Sequence, residues 1–171
     1  RDVKKLKNDR IRESMLKFGI KDNMEIGIFS HLPTGTGLGG SSSFTVALIK
    51  GLTTYLGKRF DKKEVAELAC EIEIKTLKEP IGKQDQYAAA TGGFNVFQFN
   101  PDNSVEIDPV LLGYELRAGL EKNIIVFFTG LTRSASDVLV EQKNNMSLNF
   151  NYLKSMMKSV GTFQKKLLKG S

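Results

Sequence analysis

Apolar residues recur along this chain in two rhythms, and the rhythms divide it into short elements. From about 4 to 18, Leu6, Ile11, Met15, Leu16 and Phe18 stand at mixed helical spacing and Gly19 supplies a stop, which predicts a helix. Met24, Ile26 and Ile28 then alternate with Glu25, Gly27 and Phe29, the period of a strand with one buried face. A glycine-rich stretch follows. Beyond it, Phe44, Leu48, Leu52 and Leu56 recur every four residues in a helix expected over about 41–56, closed by Gly57. Asp61-Lys62-Lys63-Glu64 has the form of a capping box and opens a helix to about Leu77, before Pro80. Val65, Leu68 and Ile72 form its apolar stripe. A short helix over about 83–90 ends at Gly92-Gly93. Phe94 to Phe99 reads as a strand, Pro101-Asp102-Asn103 as a turn, and Val105 with Ile107 as the returning strand. The segment from Leu111 to Leu120 is less regular and marks the expected domain boundary, giving domains of 1–112 and 113–171. A buried strand is expected at 124–128, a loop through Arg133, and helix from Ser134 almost to the end. Helices and strands alternate without a βαβ rhythm, which predicts an α+β class.

Composition narrows the partners. The 171 residues, 40% hydrophobic and 26% charged, suffice for one core or two small ones. The net charge of +6 suits anionic ligands, but scattered lysines such as Lys58, Lys62, Lys63, Lys165 and Lys166 also read as a solvated surface. They are not interleaved with aromatics, so no nucleic-acid partner is expected. Cys70 is the single cysteine, which excludes a disulfide within the chain. The longest strongly apolar run, Ile124 to Phe128, is too short to span a bilayer. With no signal peptide in view, a cytoplasmic location is the expectation.

The candidate chemistry centres on Pro33-Thr34-Gly35-Thr36-Gly37-Leu38-Gly39-Gly40-Ser41-Ser42-Ser43. Successive glycines let backbone N–H groups converge on an anion, and a helix starting after them adds its unpaired N–H groups and positive dipole end. The loop therefore has the character of a phosphate cradle. Gly35, Gly37 and Gly40 fit G-x-G-x-x-G, but the acidic residue that a dinucleotide site needs about 20 positions on is Asp61, which opens a helix. No Lys follows the glycines as in a Walker A loop, and the valine of the protein-kinase loop is missing. A glycine-rich turn with a serine N-cap is the plain structural alternative.

Pro33, Gly37-Leu38-Gly39 and Ser41 fall in the places of the second motif of the GHMP small-molecule kinases, and the chain resembles that family over roughly residues 10 to 140. Gly40 stands where the family usually has its first Ser. The resemblance implies a ribosomal-S5-like nucleotide-binding domain followed by the start of a ferredoxin-like domain. It also implies ATP and Mg²⁺ as cofactors, with Pro33, Gly35, Gly37, Leu38, Gly39, Gly40, Ser41 and Ser42 at the nucleotide. Within the family the run from Glu79 to Asn95 looks most like sugar kinases, and among them those acting on a heptose phosphate. That likeness implies phosphorylation of a sugar phosphate at its anomeric hydroxyl, for nucleotide-sugar and surface polysaccharide synthesis. A family kinase for another small alcohol remains an alternative, as does a non-catalytic nucleotide- or nucleic-acid-binding module of the same fold. The family's first and third motifs are not found, so the chain is expected to be an internal piece; a homodimer is possible.

Individual residues carry specific expectations. Ser41 could offer its hydroxyl to a metal or cap the helix. On a 3.6-residue period Glu73 shares a face with Ala66, Ala69, Cys70 and Leu77, so it should be partly buried and want a metal or a Lys partner. The family's metal-binding glutamate stands seven residues before a proline, as Glu73 does before Pro80. Asp85, seven residues before Gly92, matches the family aspartate that orients or deprotonates the acceptor hydroxyl; helix capping is its structural alternative. Lys83 and Arg133 are expected at the anionic substrate, with a plain surface role open for Arg133. His31 has no evident acid–base partner in the sequence.

Overall fold

The computed structural model describes residues 2–21, 24–31, 35–130 and 135–169, apart from the side chains at 135–137. The chain divides into two compact units, Arg1–Gly92 with Leu131–Val140, and Gly93–Gly130 with Glu141–Ser171.

In the first unit a 3₁₀ turn, Val3–Lys5, leads into α1 (Asp9–Lys17). The expected helix over 4–18 is broken here because the Asn8 side chain accepts the Ile11 N–H at 3.1 Å and caps a fresh start. α2 (Gly40–Tyr55) is the axis of the unit. Its predicted stripe of Phe44, Leu48, Leu52 and Leu56 packs with Val3, Ile11, Met15 and Ile20 in one core. A second stripe, Val46 and Ile49, faces a separate core with Val65, Ala69 and Ile72. Truncating a buried leucine such as Leu52 to alanine in such a position costs about 2–5 kcal/mol.

α3 (Lys62–Cys70) starts on the predicted capping box: Glu64 N–H donates to Asp61 Oδ1 and Asp61 N–H to Glu64 Oε2, both at 2.7 Å. The helix was expected to run straight to Leu77. Instead it widens after Cys70 into a π-helical turn, Glu71–Thr76. Lys78, at φ +59°, closes the turn in the left-handed region. The Leu77 N–H then reaches the Ile72 carbonyl at 2.9 Å, and the Glu79 N–H the Glu73 carbonyl at 3.0 Å. α4 (Gln84–Thr91) packs on α2 and α3.

In the second unit, β1 (Asn95–Phe99) and β2 (Val105–Pro109) form an antiparallel hairpin with Phe97 opposite Ile107. Asp102 Oδ1 ties the turn, accepting from the Ser104 N–H at 2.9 Å and its hydroxyl at 2.6 Å. The stretch expected to be irregular forms α5 (Tyr114–Lys122), with an Arg117–Glu121 pair one turn apart at 2.9 Å. The expected C-terminal helix is two, α6 (Ala135–Asn144) and α7 (Met146–Lys169).

Two expected strands are absent. Residues 24–29 and 124–128 are irregular, and Ile124 to Phe128 are all exposed rather than buried. Alternation gives a segment its two faces, but a strand exists only through a neighbour that completes its ladder. Among the described residues β1 and β2 make the one ladder. Met24 and Ile26 still pack on the first core, as their alternation implied. The class is α+β, α-rich with a two-stranded sheet. Among the described residues no helix is long and apolar enough to cross a membrane.

Candidate functional site

The glycine loop adopts the conformation its composition requires. Gly35, Gly37 and Gly39 all have positive φ, at +74°, +74° and +67°. Gly39 is the N-cap of α2, so Ser41 lies in the first turn and is exposed. No side chain caps this end, leaving the first-turn N–H groups in the arrangement that receives anions. Ser42 is buried instead. Pro33 lies outside the described residues, as does Arg133.

Asp85, in the exposed first turn of α4, is brought to this loop. A Cβ built on Gly39 would stand 3.2 Å from Asp85 Cγ and 3.3 Å from Oδ2. Asp85 is not the cap of α4; that position belongs to Lys83. A carboxylate thus sits against the backbone that leads into the helix N-terminus.

Glu73 lies behind the same helix end, with no exposed surface. The π-helical turn places its carboxylate where α1, α2 and α4 each contribute a donor. Ser42 Oγ donates to Oε2 at 2.9 Å, Thr45 Oγ1 to Oε1 at 2.7 Å, and Gln86 Nε2 also to Oε2. Arg10 Nε completes the set at 3.0 Å from Oε1. Glu73 is thus fully rather than partly buried, and the cation beside it is an arginine, where the alternative to a metal was a lysine. Arg10 also bridges to Glu79, whose carboxyl is pushed up by burial, held down by Arg10 and raised again by Glu73.

Cys70 and Tyr87 are buried as well. Burial pushes the Cys70 thiol up to about 11, with the Lys83 charge opposing it. Burial likewise pushes the Tyr87 hydroxyl up to about 12, and the nearby Glu67 carboxylate adds to this. Lys83 is half-buried and close enough for its charge to act on Cys70.

Arg10, Thr45, Glu79 and Gln86 were not singled out from the sequence. Gln86 follows Asp85 directly, so its place beside the site could have been read from a helix facing the loop. Arg10 stands 63 residues from Glu73, and nothing in the local pattern joins them.

Residues 4–93 match the family described as the GHMP kinases N terminal domain. The chain is 37% identical over 118 residues to the D-glycero-alpha-D-manno-heptose 7-phosphate kinase of Campylobacter jejuni, a match covering 69% of this chain and 35% of that protein. It is 30% identical over 118 residues to the mevalonate kinase of Pyrococcus horikoshii, covering 67% of this chain and 33% of that one. A solved D-glycero-D-manno-heptose 1-phosphate kinase from Bacteroides thetaiotaomicron superposes with a TM-score of 0.66 at 28% identity, over 81% of this chain and 47% of its own. The chain thus spans about a third of the length of these curated relatives.

Proposed function

This chain belongs to the GHMP kinases, carrying their N-terminal domain over residues 4–93, and from that premise we propose that it serves ATP-dependent phosphorylation of a sugar phosphate. The acceptor we propose is D-glycero-D-manno-heptose 7-phosphate, at its anomeric hydroxyl, in a cytoplasmic route to nucleotide sugars for surface polysaccharide. The observation that carries the reading is the Asp85 carboxylate against Gly39 at the mouth of α2. A protein that only binds phosphate has no use for an acid there. A kinase needs one to hold or accept the proton of the attacking hydroxyl.

The remaining roles follow from position. Pro33, Gly35, Gly37, Leu38, Gly39, Gly40, Ser41 and Ser42 would lie along the nucleotide phosphates, with first-turn N–H groups of α2 as donors. Lys83 and Arg133 would hold the anionic substrate. Residues 1–112 would form the nucleotide domain and 113–171 the start of the second.

The hydroxyl of Ser41 and the carboxylate of Glu73 are hard oxygen donors of the kind Mg²⁺ selects. They suit the ion in chemistry, with one condition: both oxygens of Glu73 already accept protein donors. Bound there, Mg²⁺ would neutralise charge on the transferring phosphoryl group. Exposed Ser41 is open to a ligand as it stands.

The test is ADP release by the intact protein with ATP and a panel of acceptors: heptose 7-phosphate, other sugar phosphates, free galactose and mevalonate. Preferred turnover of the heptose phosphate is expected. Preference for a neutral sugar or mevalonate would overturn the acceptor, and ATP binding without transfer to any acceptor would favour a non-catalytic module.

A further inference from the structure

Arg10 holds two carboxylates at once. Its Nε donates to Glu73 Oε1 at 3.0 Å, while its Nη2 donates to Glu79 Oε2 at 2.7 Å. Glu73 is fully buried, and its two oxygens accept from Ser42, Thr45, Gln86 and Arg10. A carboxylate offers about four acceptor sites, so a further ligand must displace a donor. Gln86 leaves its own Oε1 buried without a hydrogen-bond partner among the described residues, so the cluster is not closed on itself. Of the four donors, Arg10 bears the positive charge, and it already has a second seat.

We infer that Arg10 is the internal counter-cation of Glu73, ceding Oε1 to the divalent cation and settling on Glu79 when the metal and nucleotide arrive. The inference rests on the kinase reading above. Two cations on one buried carboxylate repel each other, whereas the three neutral donors can stay or turn in place. The guanidinium is a planar fork, one edge of which matches a single carboxylate, so Glu79, already bonded to Nη2, can receive a bidentate edge once Nε leaves Glu73. The Glu79 N–H is bonded to the Glu73 carbonyl at 3.0 Å, which fixes the two seats side by side. The exchange therefore asks for a side-chain turn and no movement of the backbone.

The test compares the intact wild-type protein with Arg10→Gln, Glu79→Gln and the double variant. Mg²⁺ is titrated at saturating ADP, and binding is followed by calorimetry and by the thermal midpoint. Without its competitor, Arg10→Gln should reach half-saturation at about tenfold lower Mg²⁺. Glu79→Gln should need several-fold more, because Arg10 loses its second seat, and this effect should vanish when Arg10 is also replaced. If Arg10 only supports the fold, both variants will melt earlier without metal and keep the wild-type Mg²⁺ dependence. That result, or a raised Mg²⁺ requirement in Arg10→Gln, would overturn the exchange. Should Arg10→Gln not fold, Arg10→Lys, which serves one carboxylate at a time, should shift in the same direction by less; an unchanged Mg²⁺ requirement there would overturn it equally. Failure of the wild type to bind ADP with Mg²⁺ would overturn the kinase reading as well, whereas equal metal dependence in all variants would overturn the exchange alone.

Discussion

The carboxylate of Asp85 crowds the space in which any side chain at Gly39 would begin, its Cγ 3.2 Å from the position of a Cβ there. Two constraints meet at this glycine. Its φ of +67° costs an L-residue about 1–2 kcal/mol, and its missing side chain makes room for the acid. Gly39→Val should therefore push Asp85 aside and distort the loop while leaving both cores folded. Calorimetric titration of ATP should show weakened binding, with a near wild-type circular dichroism spectrum. Unchanged affinity would rule out the phosphate cradle.

Asp85 and Glu73 should fail differently when neutralised. Asp85 is exposed, so in the full-length enzyme Asp85→Asn should keep the fold and ATP binding but lower turnover by about 10²-fold or more. Glu73→Gln places an amide among Ser42, Thr45, Gln86 and Arg10, all donors, and removes the charge that Arg10 balances. A loss of about 2 kcal/mol or more is expected, below the full cost of breaking a buried pair because Arg10 retains Glu79. Its Mg²⁺ requirement should rise as well. Denaturant unfolding beside steady-state kinetics separates the two; equal effects in both assays would mean the roles are misassigned.

Lys78 ends the π-helical turn at φ +59°, a conformation that glycine adopts without strain. Lys78→Gly is expected to be neutral or to stabilise by up to about 1 kcal/mol, since relief of strain offsets the added freedom of the unfolded chain. A clear fall in thermal midpoint would show that the lysine side chain contributes something its backbone does not reveal.

The Cys70 thiol is a reporter of the same region. Its pKa rises from the usual 9.0 to about 11 through burial, so the folded chain keeps its proton longer than the unfolded one. Stability owed to the neutral thiol is intact below pH 9 and declines between pH 9 and 11, where the unfolded state has already lost its proton. At pH 8, iodoacetamide should label Cys70 slowly in buffer and rapidly in denaturant. Equally fast labelling in both would contradict the packing of α3.

Leu148, Phe150, Met156, Met157, Val160 and Phe163 are all exposed on α7. So large an apolar surface predicts that the 171-residue chain, expressed by itself, self-associates and shows no measurable turnover. Size-exclusion chromatography over a range of concentrations would reveal this, and a monomeric, active chain would refute it.

What could be read from the sequence was local. The stripe of Phe44, Leu48, Leu52 and Leu56 and the box of Asp61 and Glu64 are set by neighbours within a turn or two, and both formed. The second face of α2 was hidden because Val46 and Ile49 are mixed with Thr45 and Thr53, polar residues that are themselves buried. Thr45 is satisfied by Glu73, 28 residues away. The π-helical turn has the same residue pattern as the α-helix it continues, so periodicity does not distinguish them. Alternation at 24–29 and 124–128 described faces without supplying a partner strand. At the candidate site, the glycines and the carboxylates stood out by type and spacing and Gln86 was within reach as the neighbour of Asp85, whereas Arg10 entered through tertiary packing alone.

α2 is clamped along both flanks, by one core on each stripe, while the glycines immediately before it are exposed or only half-buried. The helix therefore behaves as a stiff post with a compliant tip. Amide exchange should be slowest near Ile49 and rise steeply across Gly39 and Gly40, marking a mechanical junction two residues wide. A bound phosphate would meet a cradle that yields and a helix that does not. Remote core substitutions that tilt the post by even a fraction of an ångström should then register at the loop as a change in catalytic alignment before they register as a loss of nucleotide affinity.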